Sequence, residues 1–196
     1  LIRENNWKNL NGLWDYAIIP RKDSVKYPKH WDGKILVPFA IESSLSGVGK
    51  TVGEENYLWY RTQIEIPTKF KNTMLLHFGA VDWQTDVLIN GAIVGSHEGG
   101  FDPFTFDITP LLKKGTKQEI AIRVWDPSDK GHQPRGKQVV KPSGIWYTPV
   151  TGIWQTVWIE NVAATHIAST KQTPNIDTKS LTIATSIINA MADDKV

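Results

Sequence analysis

The sequence contains no cysteine, and this absence narrows the chemistry open to the chain. Disulfide bonds, thiol catalysis and zinc–thiolate sites all require cysteine and are therefore excluded. A large excess of positive or negative residues is also absent, because 22 basic and 20 acidic residues leave a net charge of only +2. A nucleic-acid surface needs clustered positive charge, so we expect no nucleic-acid partner. No apolar run approaches the length that spans a bilayer, and no membrane partner is expected either.

Signals for helices are scarce, whereas signals for strands recur along the whole chain. The one helical signal is Thr109–Gly115, where Thr109 can cap, Pro110 suits the first position and Gly115 suits the end, which predicts a single turn. Apolar and polar residues alternate with the period of a half-buried strand. Strands are predicted over 13–19, 35–37, 58–67, 74–81, 104–108, 118–126 and 156–160. Asn90-Gly91 separates two apolar runs and predicts a tight hairpin, since both residues tolerate positive φ.

Many short strands with turn-rich connections predict an all-β chain folded as a jelly-roll β-sandwich. A boundary is predicted near Asn161 to Thr165, which gives a first domain over 1–162 and a second segment over 163–196. The second segment has two strand patterns, His166 to Thr170 and Leu181 to Ile188. Two strands cannot bury a core of their own, so we expect this segment to be the start of an incomplete second sandwich. Fraying of the two strands, pairing with the first domain and exchange with another copy are the open alternatives.

No catalytic group is indicated by the residue pattern. Glycoside hydrolysis needs a pair of carboxyl groups at a controlled separation, and no acidic residue lies in a context that specifies such a pair. Glu54-Glu55 is interpreted as a solvated pair in a polar loop. There is no G-x-S-x-G elbow, the five histidines are too dispersed for metal ligation, and no glycine-rich loop opens a long helix. We therefore predict no catalytic residue, no metal site and no cofactor.

The segment between Trp125 and Trp158 is the best candidate for binding. It is long and polar in its first half, and connections of this length usually have a function. Carboxylates and amides bond to hydroxyls, and indoles stack on pyranose rings, so the segment suits a sugar. The candidate residues are Asp126, Asp129, His132, Arg135, Lys137, Gln138, Trp146 and Tyr147. An ordered connection whose charges pair internally is an equally open interpretation.

Four ordered motifs resemble one known family. They are Trp59-Tyr60-Arg61 leading to Ile66-Pro67, Phe78-Gly79-Ala80-Val81 leading to Asn90-Gly91, Val94 to Gly100 followed by Pro103 to Thr109, and Gly152-Ile153-Trp154-Gln155 followed by Val157 to Glu160. Over roughly Trp7 to Asn161 their order and spacing are similar to the N-terminal sugar-binding domain of glycoside hydrolase family 2. That family includes β-galactosidases, β-glucuronidases and β-mannosidases, and its first domain is a galactose-binding-like jelly roll.

The motif residues themselves are interpreted as architectural. Phe104 and Phe106 point to one face, as core residues do. Arg61 is expected to reach a carboxylate on a neighbouring strand, with Asp86 and Asp107 as the two options.

The resemblance implies a non-catalytic domain of a larger, retaining enzyme. In the family, two glutamates on a downstream (β/α)8 barrel perform catalysis, and an immunoglobulin-like sandwich precedes the barrel. Residues 163–196 look like the opening of that sandwich. The first domain shapes the substrate pocket, and an acidic residue after the strand that ends at Trp125 can touch substrate. Asp126 occupies the matching position, with Asp129 as the other option. Arg135 is a further candidate for shaping the substrate pocket. Trp146 stands where glucuronidases place an acidic contact.

Two other functions stay open at this stage. The chain can be a free-standing carbohydrate-binding module, or a structural or dimerisation domain, because fold alone does not fix function. The expected partners are a carbohydrate substrate and the downstream immunoglobulin-like and barrel domains, with self-association left open. The expected location is periplasmic or secreted, with the signal peptide not present in the chain.

Overall fold

The computed structural model describes residues 6–191, apart from 24–26, 71 and 116. The described chain is built from strands and three short 3-10 turns, and none of its helices is long and apolar enough to cross a membrane. The 3-10 turns are Arg21–Asp23, Ser44–Ser46 and Thr109–Leu111. The strands are β1 (Trp7–Asn9), β2 (Gly12–Pro20), β3 (Gly33–Val37), β4 (Asn56–Glu65), β5 (Thr73–Phe78), β6 (Val81–Asp82), β7 (Gln84–Ile89), β8 (Ala92–Glu98), β9 (Phe104–Asp107), β10 (Lys117–Trp125), β11 (Gly152–Ile153), β12 (Val157–Val162), β13 (His166–Asn175) and β14 (Ser180–Ile188).

Two antiparallel sheets form the predicted sandwich. The larger has the order β3-β2-β4-β10-β7-β8 and the smaller β1-β12-β5-β9, while β6 and β11 pair separately. Alternate residues of both sheets are inaccessible to solvent, as the period-two pattern predicted: Ile120, Ile122 and Val124 on β10 face the same core as Leu76 and Phe78 on β5. Each such side chain contributes about 1.5–3 kcal/mol on burial, so this core is the main stabilising element. The predicted all-β sandwich is confirmed.

Two local predictions are confirmed, one of them with a correction. Asn90 and Gly91 have φ of 53° and 87°, and they connect β7 to β8 as a tight hairpin. The helical signal gives a single 3-10 turn over Thr109–Leu111. The residue before it is Ile108, which makes no side-chain cap, and Leu112, not Gly115, follows its end. The Thr109 hydroxyl instead accepts a hydrogen bond from the backbone N–H of Met74 at 2.8 Å. Thr109 therefore joins the turn to β5 and does not cap it.

The expected partners of Arg61 were wrong. Arg61 donates to Asp15 Oδ2 at 2.8 Å, because β4 lies beside β2 and the two residues are directly opposite. Asp86 instead accepts from Arg123 Nε at 2.9 Å, its opposite residue on β10. Asp107 lies in the smaller sheet. The order of the strands in the sheet determines these ion pairs, and the residue pattern of one strand does not reveal that order.

The last two strands form a hairpin after β12 ends at Val162. Within the described residues β13 and β14 pair only with each other, which confirms two strands in this segment. Large apolar side chains of this hairpin are exposed, including Ile176, Leu181, Ile183 and Ile188. The division into domains at 162/163, and the identity of the hairpin as the start of an immunoglobulin-like sandwich, stay predictions.

Candidate functional site

The long connection between β10 and β11, residues 126–151, is an ordered loop; we call it the long loop. Its two halves contact each other through backbone hydrogen bonds from Tyr147 N to Lys137 O at 2.9 Å and from Val139 N to Tyr147 O at 3.0 Å. These bonds join the two halves of the loop and satisfy backbone polar groups in both.

Buried carboxylates anchor the ends of the long loop to the sandwich. Asp126 is only 2% exposed, and it accepts from the Ser128 N–H and from the Thr151 hydroxyl, both at 2.7 Å. The N–H of Thr151 donates to Glu42 Oε2 at 2.9 Å. Thr151 therefore connects Asp126, at the start of the loop, to Glu42, which lies beyond β3 in the sequence.

A third carboxylate anchors the middle of the long loop. The side-chain amide of Gln138 donates to Asp82 Oδ2 at 3.0 Å and accepts from the Val150 N–H at 2.6 Å. Asp82 is 3% exposed and lies on β6, which pairs with β11. Glu42, Asp82 and Asp126 are hereafter the carboxylate cluster.

The carboxylate cluster holds its protons unusually tightly. Burial, helped by the charge of Asp126, raises the pKa of Glu42 from 4.5 to about 7, although the hydrogen bonds from Thr151 oppose this shift. Burial also raises the pKa of Asp82 from 3.8 to about 7, with the charges of Asp126 and Glu42 acting in the same direction. The pKa of Asp126 is raised by burial, while Thr151 and Ser128 oppose the shift. Near neutral pH the cluster is therefore partly protonated.

The described residues contain no group of three or more His, Cys, Asp or Glu arranged to hold a metal ion. The hydrogen bonds of the cluster run instead to the loop that it anchors. We therefore interpret the cluster as the support of the long loop.

A cleft of about 750 Å³ opens between the long loop and the segment before β4; we call it the loop cleft. One side carries Glu54, Glu55 and Asn56, and the other carries Asp129 and Trp146. Trp146 is 42% exposed, so its indole is available for stacking. The remaining lining residues are Gly53, Pro127, Lys130, Val139, Val140 and Lys141. Carboxylates, an amide, ammonium groups and an indole together provide hydrogen-bonding and stacking groups suited to a sugar.

The four residues predicted from the sequence are divided between the cleft and its support. Asp129 and Trp146 both line the loop cleft. Asp126 belongs to the buried cluster, and Arg135 donates from its guanidinium to the backbone carbonyl of Asp129. Contact of these residues with substrate stays a prediction for all four.

Sequence reasoning missed part of the site. Glu54 and Glu55, interpreted there as solvated, line the loop cleft, and the Trp125 indole donates to Glu54 O at 2.7 Å and so fixes this segment. Glu42 and Asp82 were not singled out as site residues. Their isolation in the sequence gives no signal, since only folding brings them to Asp126.

Removal of the Gln138 amide tests whether the cluster supports the long loop. We expect Gln138→Ala to speed amide hydrogen exchange across residues 128–148 about tenfold, because a lost buried hydrogen bond costs about 1–2 kcal/mol. Gln133→Ala is the matched control, since Gln133 bonds to Ser128 O inside the loop itself. Equal exchange rates in wild type and Gln138→Ala would mean that the bond to Asp82 does not hold the loop.

Comparison with known proteins gives a consistent result. A family model described as glycosyl hydrolase 2 galactose-binding domain-like matches residues 33–151. A β-galactosidase of Thermoanaerobacter pseudethanolicus is 34% identical over 119 residues, which is 58% of this chain and 15% of that protein. A β-glucuronidase of Formosa agariphila is 31% identical over 162 residues, which is 73% of this chain and 16% of that protein.

Solved structures agree at the level of the fold. A Ruminococcus gnavus β-glucuronidase in complex with C6-substituted uronic isofagomine superposes with a TM-score of 0.74 at 19% identity, covering 96% of this chain and 35% of that chain. A Faecalibacterium prausnitzii β-glucuronidase gives a TM-score of 0.70 at 18% identity, covering 97% and 37% respectively. In length, the chain spans only 15% of the Thermoanaerobacter β-galactosidase and 16% of the Formosa β-glucuronidase that it matches in sequence.

Proposed function

Because this chain belongs to the glycosyl hydrolase 2 galactose-binding domain-like family, we propose that it is the non-catalytic N-terminal domain of a longer β-glycosidase. The longer protein hydrolyses O-glycosidic bonds of β-linked sugars with retention, and this domain shapes its substrate pocket. The observation that carries the proposal is the family match over residues 33–151, which includes every residue that lines the loop cleft. The names of the relatives, β-galactosidase and β-glucuronidase, support the reaction class.

The loop cleft is the part of the domain that meets the substrate in this proposal. Asp129 places its carboxylate at the wall of this cleft, where Oδ2 accepts from the Val140 N–H at 3.1 Å, and Trp146 provides an apolar face for a pyranose ring. Lys130 and Lys141 line the same cleft as Glu54 and Glu55, so groups of both charges are available. Asp126 and Arg135 act through the loop, Asp126 by anchoring its start and Arg135 by holding the backbone at Asp129.

The catalytic carboxyl pair is assigned to the downstream barrel. Hydrolysis requires two carboxyl groups facing the scissile bond from opposite sides. The three carboxylates of the cluster are instead buried or half-buried, and each accepts a hydrogen bond from the long loop. The periplasmic or secreted location stays a prediction.

Kinetics on the longer protein test the role of the loop cleft. We expect Trp146→Ala and Asp129→Asn each to raise KM about tenfold on the proper β-glycoside, equivalent to about 1.4 kcal/mol of lost binding. The assay compares p-nitrophenyl β-galactoside with p-nitrophenyl β-glucuronide. Tyr147→Ala is the matched control, since Tyr147 is 67% exposed and is not part of the cleft lining.

Two results would contradict the proposal. Hydrolysis by the 196-residue chain alone would show that it is catalytic. Unchanged kinetics for both cleft variants would remove the loop cleft from substrate binding.

A further inference from the structure

A second cleft, of about 510 Å³, opens beside the smaller sheet and shares no lining residue with the loop cleft. We call it the aromatic cleft. Its walls are Phe101, Trp154 and Trp158, and its polar groups come from Gln155 and Thr156, with Pro38, Gly79 and Pro103 completing the lining. None of these eight described lining residues carries a charge.

The aromatic rings form two walls at a steep angle. The planes of Phe101 and Trp154 meet at 76°, with ring centroids 6.4 Å apart. Phe101 is 48% exposed, so much of its ring is open to a ligand. An open aromatic face beside a perpendicular one gives a ligand a stacking surface and an edge to pack against.

Both indoles of the aromatic cleft are fixed from behind. The Trp154 N–H donates to Gly100 O at 2.8 Å. Trp158 stacks on His77, with centroids 4.7 Å apart and planes 8° from parallel. His77 is itself held by Thr105 Oγ1, 2.8 Å from Nδ1, and its Nε2 lies 3.3 Å from Glu160 Oε2. Rings that are ordered before binding lower the entropic cost of binding.

The lining chemistry points to a neutral sugar. Pyranose C–H faces stack on aromatic rings, and the exposed Gln155 amide can both donate to and accept from hydroxyls. An anionic sugar would need a cationic partner, and the lining offers none. A cavity of this size lies within the range of about 300–1,000 Å³ for small-molecule sites. A stable protein partner needs about 800 Å² of surface on each side, more than a cleft lined by eight residues offers.

We infer that the aromatic cleft binds a neutral β-linked oligosaccharide, which stacks on Phe101 and Trp158 and bonds to Gln155. The inference rests on the proposed function only for the choice of a β-linked sugar. It gives the domain a carbohydrate-binding site of its own, made entirely from residues of the sandwich and its connections.

Titration of the 196-residue chain tests the inference. The probes are cellotriose and lactose as neutral sugars and glucuronic acid as the anionic comparison, monitored by calorimetry and by indole N–H shifts in NMR spectra. We expect saturable millimolar binding of a neutral sugar, with Kd raised about tenfold by Phe101→Ala through lost stacking. Gln155→Ala should weaken binding less. Ile93→Ala is the control, because Ile93 is an apolar residue on β8 that lies outside the aromatic cleft and is even more exposed than Phe101, at 62%.

Each outcome either supports or overturns the inference. Absence of saturable binding overturns it. The inference also fails if Phe101→Ala and Gln155→Ala both leave Kd unchanged while circular dichroism shows that the variants are folded. Tighter binding of glucuronic acid than of cellotriose and lactose overturns the assignment of a neutral ligand. Hydrolysis by the longer protein is measured separately, so a failed cleft and a failed hydrolase assignment give different results.

Discussion

Replacement of Gly152 by alanine is expected to destabilise the sandwich by about 4 kcal/mol, the sum of an overpacking cost and a left-handed backbone cost. The Cβ of an alanine would overlap Tyr60 Oη and lie 2.9 Å from Tyr60 Cζ. Tyr60 is completely buried, and its hydroxyl already accepts from the Ile153 N–H at 3.2 Å, so the ring cannot move aside. The φ of Gly152 is also +88°, which side chains rarely adopt. The melting temperature should fall by about 10 °C.

Gly91→Ala separates the two causes. Gly91 has nearly the same φ, +87°, but nothing lies within 4 Å of the position that an alanine Cβ would occupy there. Gly91→Ala should therefore lower the free energy of unfolding only by the cost of the left-handed backbone, about 1 kcal/mol. Denaturant unfolding followed by tryptophan fluorescence reports on the sandwich, because all nine tryptophans lie within residues 7–158. Equal losses in the two variants would mean that contact with Tyr60 is not what forbids a side chain at position 152.

The stability of the sandwich is expected to fall as pH rises from about 4 to about 7, because the carboxylate cluster releases protons less readily when folded. Well below the ordinary pKa values of 3.8 for Asp82 and 4.5 for Glu42, both folded and unfolded chains keep these groups protonated, so their titration favours neither state. Between the unfolded and folded pKa values the unfolded chain ionises first and is stabilised. Once the pH is well above 7, both groups are ionised in both states and the loss is complete. The shift of Glu42 from 4.5 to about 7 corresponds to about 3 kcal/mol, and Asp82 acts in the same direction.

Neutral variants of the cluster test this pH dependence. Glu42→Gln and Asp82→Asn keep the shape of each side chain and remove the proton release, so each should reduce the loss of unfolding free energy between about pH 5 and pH 8. Asp177→Asn is the control, since Asp177 is an exposed carboxylate in the turn between β13 and β14. Urea unfolding at both pH values gives the comparison. A wild-type free energy of unfolding that rises over this range would contradict the assignment of raised pKa values to the cluster.

The two predictions concern the same region of the fold. Gly152 begins β11, which receives the end of the long loop and pairs with Asp82 on β6. Thr151, the residue before it, bonds to both Glu42 and Asp126. A change at Gly152 or in the cluster therefore reaches the loop that carries Asp129 and Trp146. In the proposed enzyme, this is how the interior of the sandwich sets the position of the substrate-facing groups.

Local patterns in the sequence were sufficient for most elements of the fold, but β1 and β11 were not predicted, and β5 and β6 were predicted as one strand. Alternation located β10, because a residue on a strand faces the core or the opposite side according to its parity alone. Asn90-Gly91 located the β7–β8 hairpin, because the turn depends only on the φ preferences of two residues. Ordered motifs from Trp59 to Glu160 indicated the family, which the match over residues 33–151 confirmed.

The sequence by itself thus determined the longer strands, the tight turn, the sandwich class and the loop that contains Asp129 and Trp146. Only the tertiary structure decided the partners of Arg61 and the meeting of Glu42, Asp82 and Asp126 beneath the long loop. It alone placed Glu54 and Glu55 opposite Trp146 and assembled the aromatic cleft from four separate segments. The physical reason is that backbone conformation follows from neighbours in sequence, whereas ion pairing, burial and pKa depend on strand order and on residues dozens of positions away.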